Sequence, residues 1–177
     1  MLITDIHDAA REGSFHKLKL YYQGNVNLIN ESTKLNLLQT VICGKNNYKE
    51  RLEMIDFLLS EGIDVNYLEE REQMNALHLL YSSVSIKDAE YLYVVSKKLI
   101  EKGIEINQKD RYGAIALSYL VSGKIGTEEL RSLFEYLIDK GVDYNSKDKY
   151  GNSCLDYARQ FPWRKGFVDM VEVYNDK

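Results

Sequence analysis

Three histidines and two cysteines are the side chains of this 177-residue sequence best suited to metal binding or nucleophilic catalysis. His7 and His16 lie near the N-terminus, and His78 is distant from both. Neither C-x-x-C nor H-E-x-x-H, two spacings typical of zinc sites, occurs. We therefore expect a hydrogen-bonding role within the fold for His78, with catalysis or metal binding as the alternative. Cys43 and Cys154 are far apart in a chain without a leader, so we expect reduced, buried thiols, with a reactive Cys43 as the alternative.

Carboxylates are the other candidates for chemistry, because paired acids can bind a metal or transfer protons. An acidic run spans Glu69 to Gln73, and a second pair is Glu128 and Glu129. The first run falls in a predicted turn, which indicates solvated charges, and the second pair suits the positive end of a helix. No P-loop and no G-x-G-x-x-G motif is present. We expect a non-enzymatic protein that needs no cofactor and no metal.

Composition bears on whether the protein binds nucleic acid, crosses a membrane or is secreted. The net charge of −4 disfavours nucleic-acid binding, which normally requires a basic excess. No run approaches 18 apolar residues, so we expect no membrane span, and the N-terminus lacks the basic start and apolar stretch of a signal peptide. An apolar share of 45% is ordinary for a globular protein, and we expect a cytoplasmic location.

The predicted secondary-structure elements recur along the chain. The stretch D-x-Y-G-x-x-x-L-x-Y occurs at Asp110 and again at Asp148. Around it, equivalent residues recur every 38 to 41 positions, namely Leu38, Leu77, Leu117 and Leu155, and Gly24, Gly62, Gly103 and Gly141. A fixed period of this length indicates stacked structural repeats.

In each repeat, the sequence pattern predicts a short helix after the shared leucine, a loop, and a longer second helix that ends at a glycine. In the segment from Thr127 to Gly141, apolar residues follow helical spacing, with Thr127 as the predicted N-cap and Gly141 as the C-terminal stop. In the preceding copy, Ser85 and Asp88 are the predicted capping residues. One such helix pair cannot bury its apolar face alone, and stacking on the next pair would bury it.

These residues resemble the ankyrin repeat family over about residues 5 to 174. The similarity rests on L-L-x-x-G-x-x-x-N endings and on the D-x-x-G-x-x-x-L beginnings at Asp110 and Asp148, with Leu77 and His78 as the Leu-His pair. The chain departs from the family by lacking the proline of T-P-L-H and by repeats longer than 33 residues. The resemblance implies an all-α ankyrin-type solenoid of four to five helix-turn-helix units including caps. They form one domain, 1–177, with units at about 1–27, 28–66, 67–107, 108–145 and 146–177.

The resemblance also implies where a partner protein would bind. Ankyrin repeats bind proteins with the turn tips and the exposed face of the first helices. The corresponding residues of this sequence are Arg71, Glu72, Arg111, Tyr112, Lys149 and Tyr150 at the tips, and Ser82, Ser122, Gln160 and Phe161 on the first helices. Two tips pair a cation with a tyrosine, and Arg and Tyr are enriched at binding hot spots. The alternatives are that the tyrosines only cover the turns, or that the inter-helix loops near Tyr48, Tyr91 and Trp163 form the binding surface.

We therefore expect a protein-binding module that is monomeric when free. Richness in Ile, Lys, Asn and Tyr with only seven alanines indicates an AT-rich, bacterial genome. An acidic binding protein of this kind is similar to immunity proteins that neutralise one cognate toxin domain. The alternatives are a regulatory scaffold or secreted effector that binds a host or self enzyme, and an enzyme or small-ligand binder that uses the inter-helix loops.

Overall fold

The computed structural model describes residues 3–44, 47–83 and 88–175. Within these ranges the chain is all-α, with two isolated β-bridges and one 3-10 helix at Pro162–Arg164. The α-helices are α1 (Ile6–Glu12), α2 (Phe15–Tyr21), α3 (Leu37–Ile42), α4 (Tyr48–Ser60), α5 (Ala76–Ser82), α6 (Ala89–Glu101), α7 (Ala116–Ser122), α8 (Arg131–Asp139), α9 (Cys154–Gln160) and α10 (Lys165–Asn175).

The helices lie in two layers and contact their neighbours in chain order. In one layer α1 contacts α3, α3 contacts α5, α5 contacts α7 and α7 contacts α9. In the other layer α2 contacts α4, and α8 contacts both α6 and α10. The four recurring leucines, Leu38, Leu77, Leu117 and Leu155, are all buried between these layers. Each such burial stabilises the fold by about 1.5–3 kcal/mol, so the repeated leucines hold consecutive helix pairs together.

The predicted helix ends are confirmed, and one predicted helix start is wrong. Gly141 follows α8 with a φ of 79°, the left-handed conformation that ends a helix. Asp88 caps α6 by accepting a hydrogen bond from the Tyr91 amide, while Ser85 lies outside the described residues. Thr127 does not cap α8, which begins at Arg131. Its hydroxyl instead donates to the Trp163 carbonyl at 2.7 Å, because the following unit packs over this loop.

Two buried arginines join the units at the carboxyl ends of the first-layer helices. Arg164 is fully buried and donates to the carbonyls of Leu120, Val121, Gly123 and Ile125 at 2.7–3.0 Å. Arg51 donates in the same way to the carbonyls of Ala10, Arg11 and Val41 at 2.6–3.0 Å. Burial lowers the pKa of Arg164 to about 10, so the group remains a cation at neutral pH. A cation at a helix C-terminus satisfies unpaired carbonyls and complements the helix dipole.

Aromatic side chains pack against one another at the C-terminal end of the fold. Phe167 is fully buried and lies 4.6 Å, centroid to centroid, from Phe134 of α8. Val171 is also buried, whereas Met170 is half-buried. Phe161 stacks on Trp163 at 4.8 Å. The segment that precedes α10 is therefore packed against the preceding unit.

Candidate functional site

The duplicated D-x-Y-G-x-x-x-L-x-Y stretch forms the same hydrogen-bonded turn twice. The buried Asp110 carboxylate accepts hydrogen bonds from the amides of Tyr112 (2.8 Å) and Ala114 (3.0 Å) and from the Tyr119 hydroxyl (2.5 Å). In the second copy, the Asp148 carboxylate accepts hydrogen bonds from the amides of Tyr150 and Asn152 and from the Tyr157 hydroxyl, at 2.6–3.0 Å. The first and last residues of the motif are therefore partners, and together they fix the two residues at the tip of the turn.

The preceding turn reaches a similar shape with different residues. The buried Glu69 carboxylate accepts hydrogen bonds from the amides of Arg71 (2.8 Å) and Glu72 (2.6 Å). The position nine residues later, a tyrosine in the other two copies, is His78. Its ring nitrogens lie 2.7 Å from Asn75 Oδ1 and 3.1 Å from the Ala114 carbonyl oxygen, and burial lowers its pKa. His78 therefore joins two neighbouring turns, which confirms the predicted hydrogen-bonding role.

Backbone hydrogen bonds connect one turn tip to the next. The Arg111 amide donates to the Glu72 carbonyl at 2.8 Å, and the Lys149 amide donates to the Tyr112 carbonyl at 2.9 Å. These bonds place Glu72, Arg111, Tyr112, Lys149 and Tyr150 in one line, which we call the tip row. Arg71 extends the line towards the N-terminus, because its guanidinium donates to the Ser32 carbonyl at 3.2 Å. The structure thus brings together all six tip residues that the sequence indicated.

The cationic and tyrosine side chains of the tip row are exposed, whereas Glu72 is half-buried. Tyr112 is 41% exposed and Tyr150 is 73% exposed, although both are large and partly apolar. Arg111 lies 3.8 Å from the Glu72 carboxylate. The neighbouring Glu72 carboxylate raises the pKa of the Tyr112 hydroxyl. Most of the Tyr150 ring is therefore open to solvent.

Two further cations belong to this surface and were not predicted from the sequence. Lys109 and Lys147 each precede the aspartate of their turn, and both are exposed. The Lys109 ammonium donates to the Lys147 carbonyl at 2.8 Å, and Lys147 forms an ion pair with Asp156. The signal that could have revealed them is the K-D pair common to both copies of the motif.

The predicted first-helix residues lie away from the tip row. Ser82, Ser122 and Gln160 occupy the carboxyl ends of α5, α7 and α9, whereas the tips precede the amino ends. A seven-residue helix separates its two ends by about 10 Å. The hydroxyls of Ser82 and Ser122 donate to carbonyls of their own helices. Phe161 stacks on Trp163, so the structure does not unite these four residues with the tips.

The inter-helix loops form a separate surface. Ser82 and Ser122 line a cleft of about 620 Å³ between the units, together with apolar residues that include Leu120 and Ile125. Tyr48 and Tyr91 stack on each other at 4.4 Å, and Tyr91 is buried. The Trp163 indole donates to a backbone carbonyl of the preceding unit. These three aromatic residues all make contacts within the protein, while Trp163 is also 46% exposed.

Neither cysteine thiol is activated by its surroundings. Burial raises the pKa of the Cys43 thiol to about 11 and that of Cys154 to about 12. Both thiols are therefore protonated at neutral pH, which disfavours a nucleophilic role. No cluster of three or more His, Cys, Asp or Glu side chains in residues 3–44, 47–83 and 88–175 is placed to bind a metal. No helix in the same ranges is long and apolar enough to cross a membrane.

Comparison with models of known protein families and with curated protein sequences gives no match.

Proposed function

We propose that this chain is an ankyrin-type repeat protein that acts by binding another protein through its tip row. The observation that carries the proposal is the two exposed cation–tyrosine pairs, joined by a backbone hydrogen bond of 2.9 Å and connected to Glu72 by another of 2.8 Å. The packing of helix pairs in chain order supports the repeat assignment.

The physical argument is that the tip row is ordered before a partner arrives. Exposed Tyr and Arg side chains commonly dominate binding energy, and their truncation can cost about 2 kcal/mol or more each. Binding is weakened when loops must first be ordered. Here the carboxylates of Asp110 and Asp148 hold each turn from beneath, so the backbone of Tyr112 and Tyr150 is already fixed.

Among binding proteins, we propose one that neutralises a single cognate protein, as a bacterial immunity protein does with its toxin. The support is compositional, namely the acidic net charge and the residue usage typical of AT-rich bacterial genomes. The expected complex is stoichiometric and buries at least about 1,200 Å². The product of an adjacent gene should co-purify with the tagged protein, and its toxicity should be suppressed by co-expression. Capture of a host or self enzyme instead would favour a regulatory scaffold or a secreted effector.

The test compares two sets of alanine variants. The first set replaces Arg111, Tyr112, Lys149 and Tyr150, and the matched control replaces Ser82, Ser122 and Gln160. The tagged proteins are used to capture partners from cells of the source organism, and mass spectrometry identifies what the wild type retains. The tip-row variant should keep its helical circular dichroism and lose the partner, while the control keeps it. If the tip-row variant retains the partner and the control loses it, the binding site lies at the inter-helix cleft and not at the tip row.

A further inference from the structure

The proposed function does not say which chemical groups of a partner the tip row recognises. The charges of the row indicate them. We infer that its C-terminal half binds an acidic segment of the partner protein. This half, which we call the basic end, consists of residues 109–112 and 147–150. The inference rests on the proposed function and adds to it the kind of sequence that the partner must present.

The basic end is positively charged although the chain carries a net charge of −4. Lys109, Arg111, Lys147 and Lys149 are all exposed. The Asp110 carboxylate is turned inward, where backbone amides and a tyrosine hydroxyl use its oxygens. In the part of the chain that the structure describes, Lys149 has no carboxylate within 4 Å, in contrast to Lys147, which pairs with Asp156. At least one cation of this surface is therefore available without breaking an existing ion pair.

The balance of charge differs along the row of tips. The two earlier tips carry both signs. Glu31 pairs with Lys34, and Arg71 lies between the exposed Glu70 and the half-buried Glu72. Glu72 lies at the boundary, where its carboxylate faces Arg111 and Tyr112. Cations are therefore in excess at the basic end and not at the earlier tips. This difference in charge favours the basic end as the position of an acidic segment.

The spacing of the tips suits an extended protein segment. The Lys149 amide donates to the Tyr112 carbonyl at 2.9 Å, so the backbones of the two tips that carry Arg111 and Lys149 are adjacent. Alternate side chains of an extended segment are about 6.7 Å apart and share one face. Two carboxylates at positions i and i+2 can thus reach the two flexible cations. Tyr112 and Tyr150 offer adjacent apolar surface and hydroxyls to the residues between them.

A nucleic acid is the competing polyanion, and the structure disfavours it. A long polyanion would extend beyond the basic end and meet Glu31 and Glu70 on the same row. The net charge of the whole chain would also repel it. A short acidic segment contacts only the cations.

The experiment uses defined probes on the full chain. A fluorescein-labelled twelve-residue peptide with Glu at alternate positions is compared with the same peptide carrying Gln, and with a 20-nucleotide single strand of DNA. Anisotropy is measured from 50 to 500 mM salt. The test variant is Arg111→Gln with Lys149→Gln. The matched control is Lys49→Gln with Lys102→Gln, which removes the same charge from two exposed lysines outside the row. Thermal melts of both variants confirm that they fold.

We expect the Glu peptide to bind at least ~10-fold more tightly than the Gln peptide, with an affinity that falls as salt rises. The Arg111→Gln, Lys149→Gln variant should weaken it by ~10-fold, and the control by less than ~2-fold. Equal affinity for both peptides, or no binding of either, would overturn the inference, and so would tighter, tip-dependent binding of the DNA.

The two proposals fail in different ways. If a partner is captured through the tip row and Arg111→Gln with Lys149→Gln leaves its affinity and salt dependence unchanged, the acidic-segment inference is wrong and the proposed function stands. If the acidic peptide binds the basic end and alanine replacement of the tip row leaves partner capture intact, the proposed function is wrong and the chemistry of the basic end stands.

Discussion

Replacing Tyr119 with Phe removes one hydroxyl and tests whether the buried aspartate organises the turn. The Tyr119 hydroxyl donates to Asp110 Oδ2 at 2.5 Å, and Asp110 is buried. A hydrogen bond to a charged group contributes about 1.5–3 kcal/mol. Because Tyr119 is only partly buried, we expect a loss of about 2 kcal/mol in the free energy of unfolding. For a chain of this length, that corresponds to a decrease in Tm of about 4–8 °C. The ring keeps its edge-on contact with His78, so little packing is lost.

Tyr157→Phe is the matched comparison, because it makes the same deletion in the more exposed copy of the turn. Urea denaturation followed by circular dichroism should show a loss of about 1 kcal/mol for Tyr157→Phe. The double variant should lose the sum of the two within about 0.5 kcal/mol, since the two hydroxyls donate to different carboxylates. If both single variants unfold within 0.5 kcal/mol of the wild type, the aspartate–tyrosine pair does not organise the turns, and the argument for a pre-ordered tip row fails with it.

The hydrogen bond between Asp148 and Tyr157 predicts how the stability of the protein depends on pH. Partial burial raises the pKa of Asp148, but the hydrogen bonds from the Tyr157 hydroxyl and from backbone amides outweigh this and lower it. A carboxyl group whose folded-state pKa is depressed stabilises the protein above its unfolded pKa of about 3.9, and this stability is lost as the pH falls below that value. The difference between wild type and Tyr157→Phe should therefore be largest near neutral pH and shrink between pH 5 and pH 2.

Three further substitutions test the packing between units. Arg164→Met should destabilise the fold by at least ~3 kcal/mol in urea denaturation, because it leaves several buried carbonyls without a donor; a loss under 1 kcal/mol would contradict this. Gly44→Ala should cost about 1–3 kcal/mol, since the added Cβ would lie 1.8–1.9 Å from the guanidinium of Arg51, and an unchanged unfolding midpoint would show that Arg51 moves freely. Gln73→Gly should raise the stability by about 0.5–1 kcal/mol, because Gln73 has a φ of 57°, and calorimetry showing a lower Tm would refute this.

The periodic features of the sequence predicted the helices well. Leu117 and its counterparts recur because each unit needs one apolar side chain at the same buried point, and Gly141 recurs because a helix must end there. Both requirements are local and identical in every unit. Thr127 shows the limit of this reasoning, since a residue with the chemistry of an N-cap can serve a contact with the following unit instead.

The buried arginines could not be predicted from periodicity. Arg164 takes its acceptors from the end of α7 and the loop that follows it, so its burial depends on how two units pack and not on its neighbours in sequence. By contrast, the Asp110–Tyr119 hydrogen bond was within reach of sequence reasoning, because both residues belong to the duplicated motif. The motif indicated an architectural role, and only the coordinates show that its two ends are partners.

The two functions of each turn are assigned to different side chains of the same short segment. Asp148 faces inward and fixes the backbone, and that frees Lys149 and Tyr150 to remain exposed. If the tip side chains were needed to hold the turn, a partner could not contact them without destabilising it. Because the fixed backbone also donates the Lys149 amide to the neighbouring tip, a bound partner meets a continuous row of ordered turns. In both copies of the motif Asp and the final Tyr hold the turn, while the exposed position after Asp is Arg in one copy and Lys in the other.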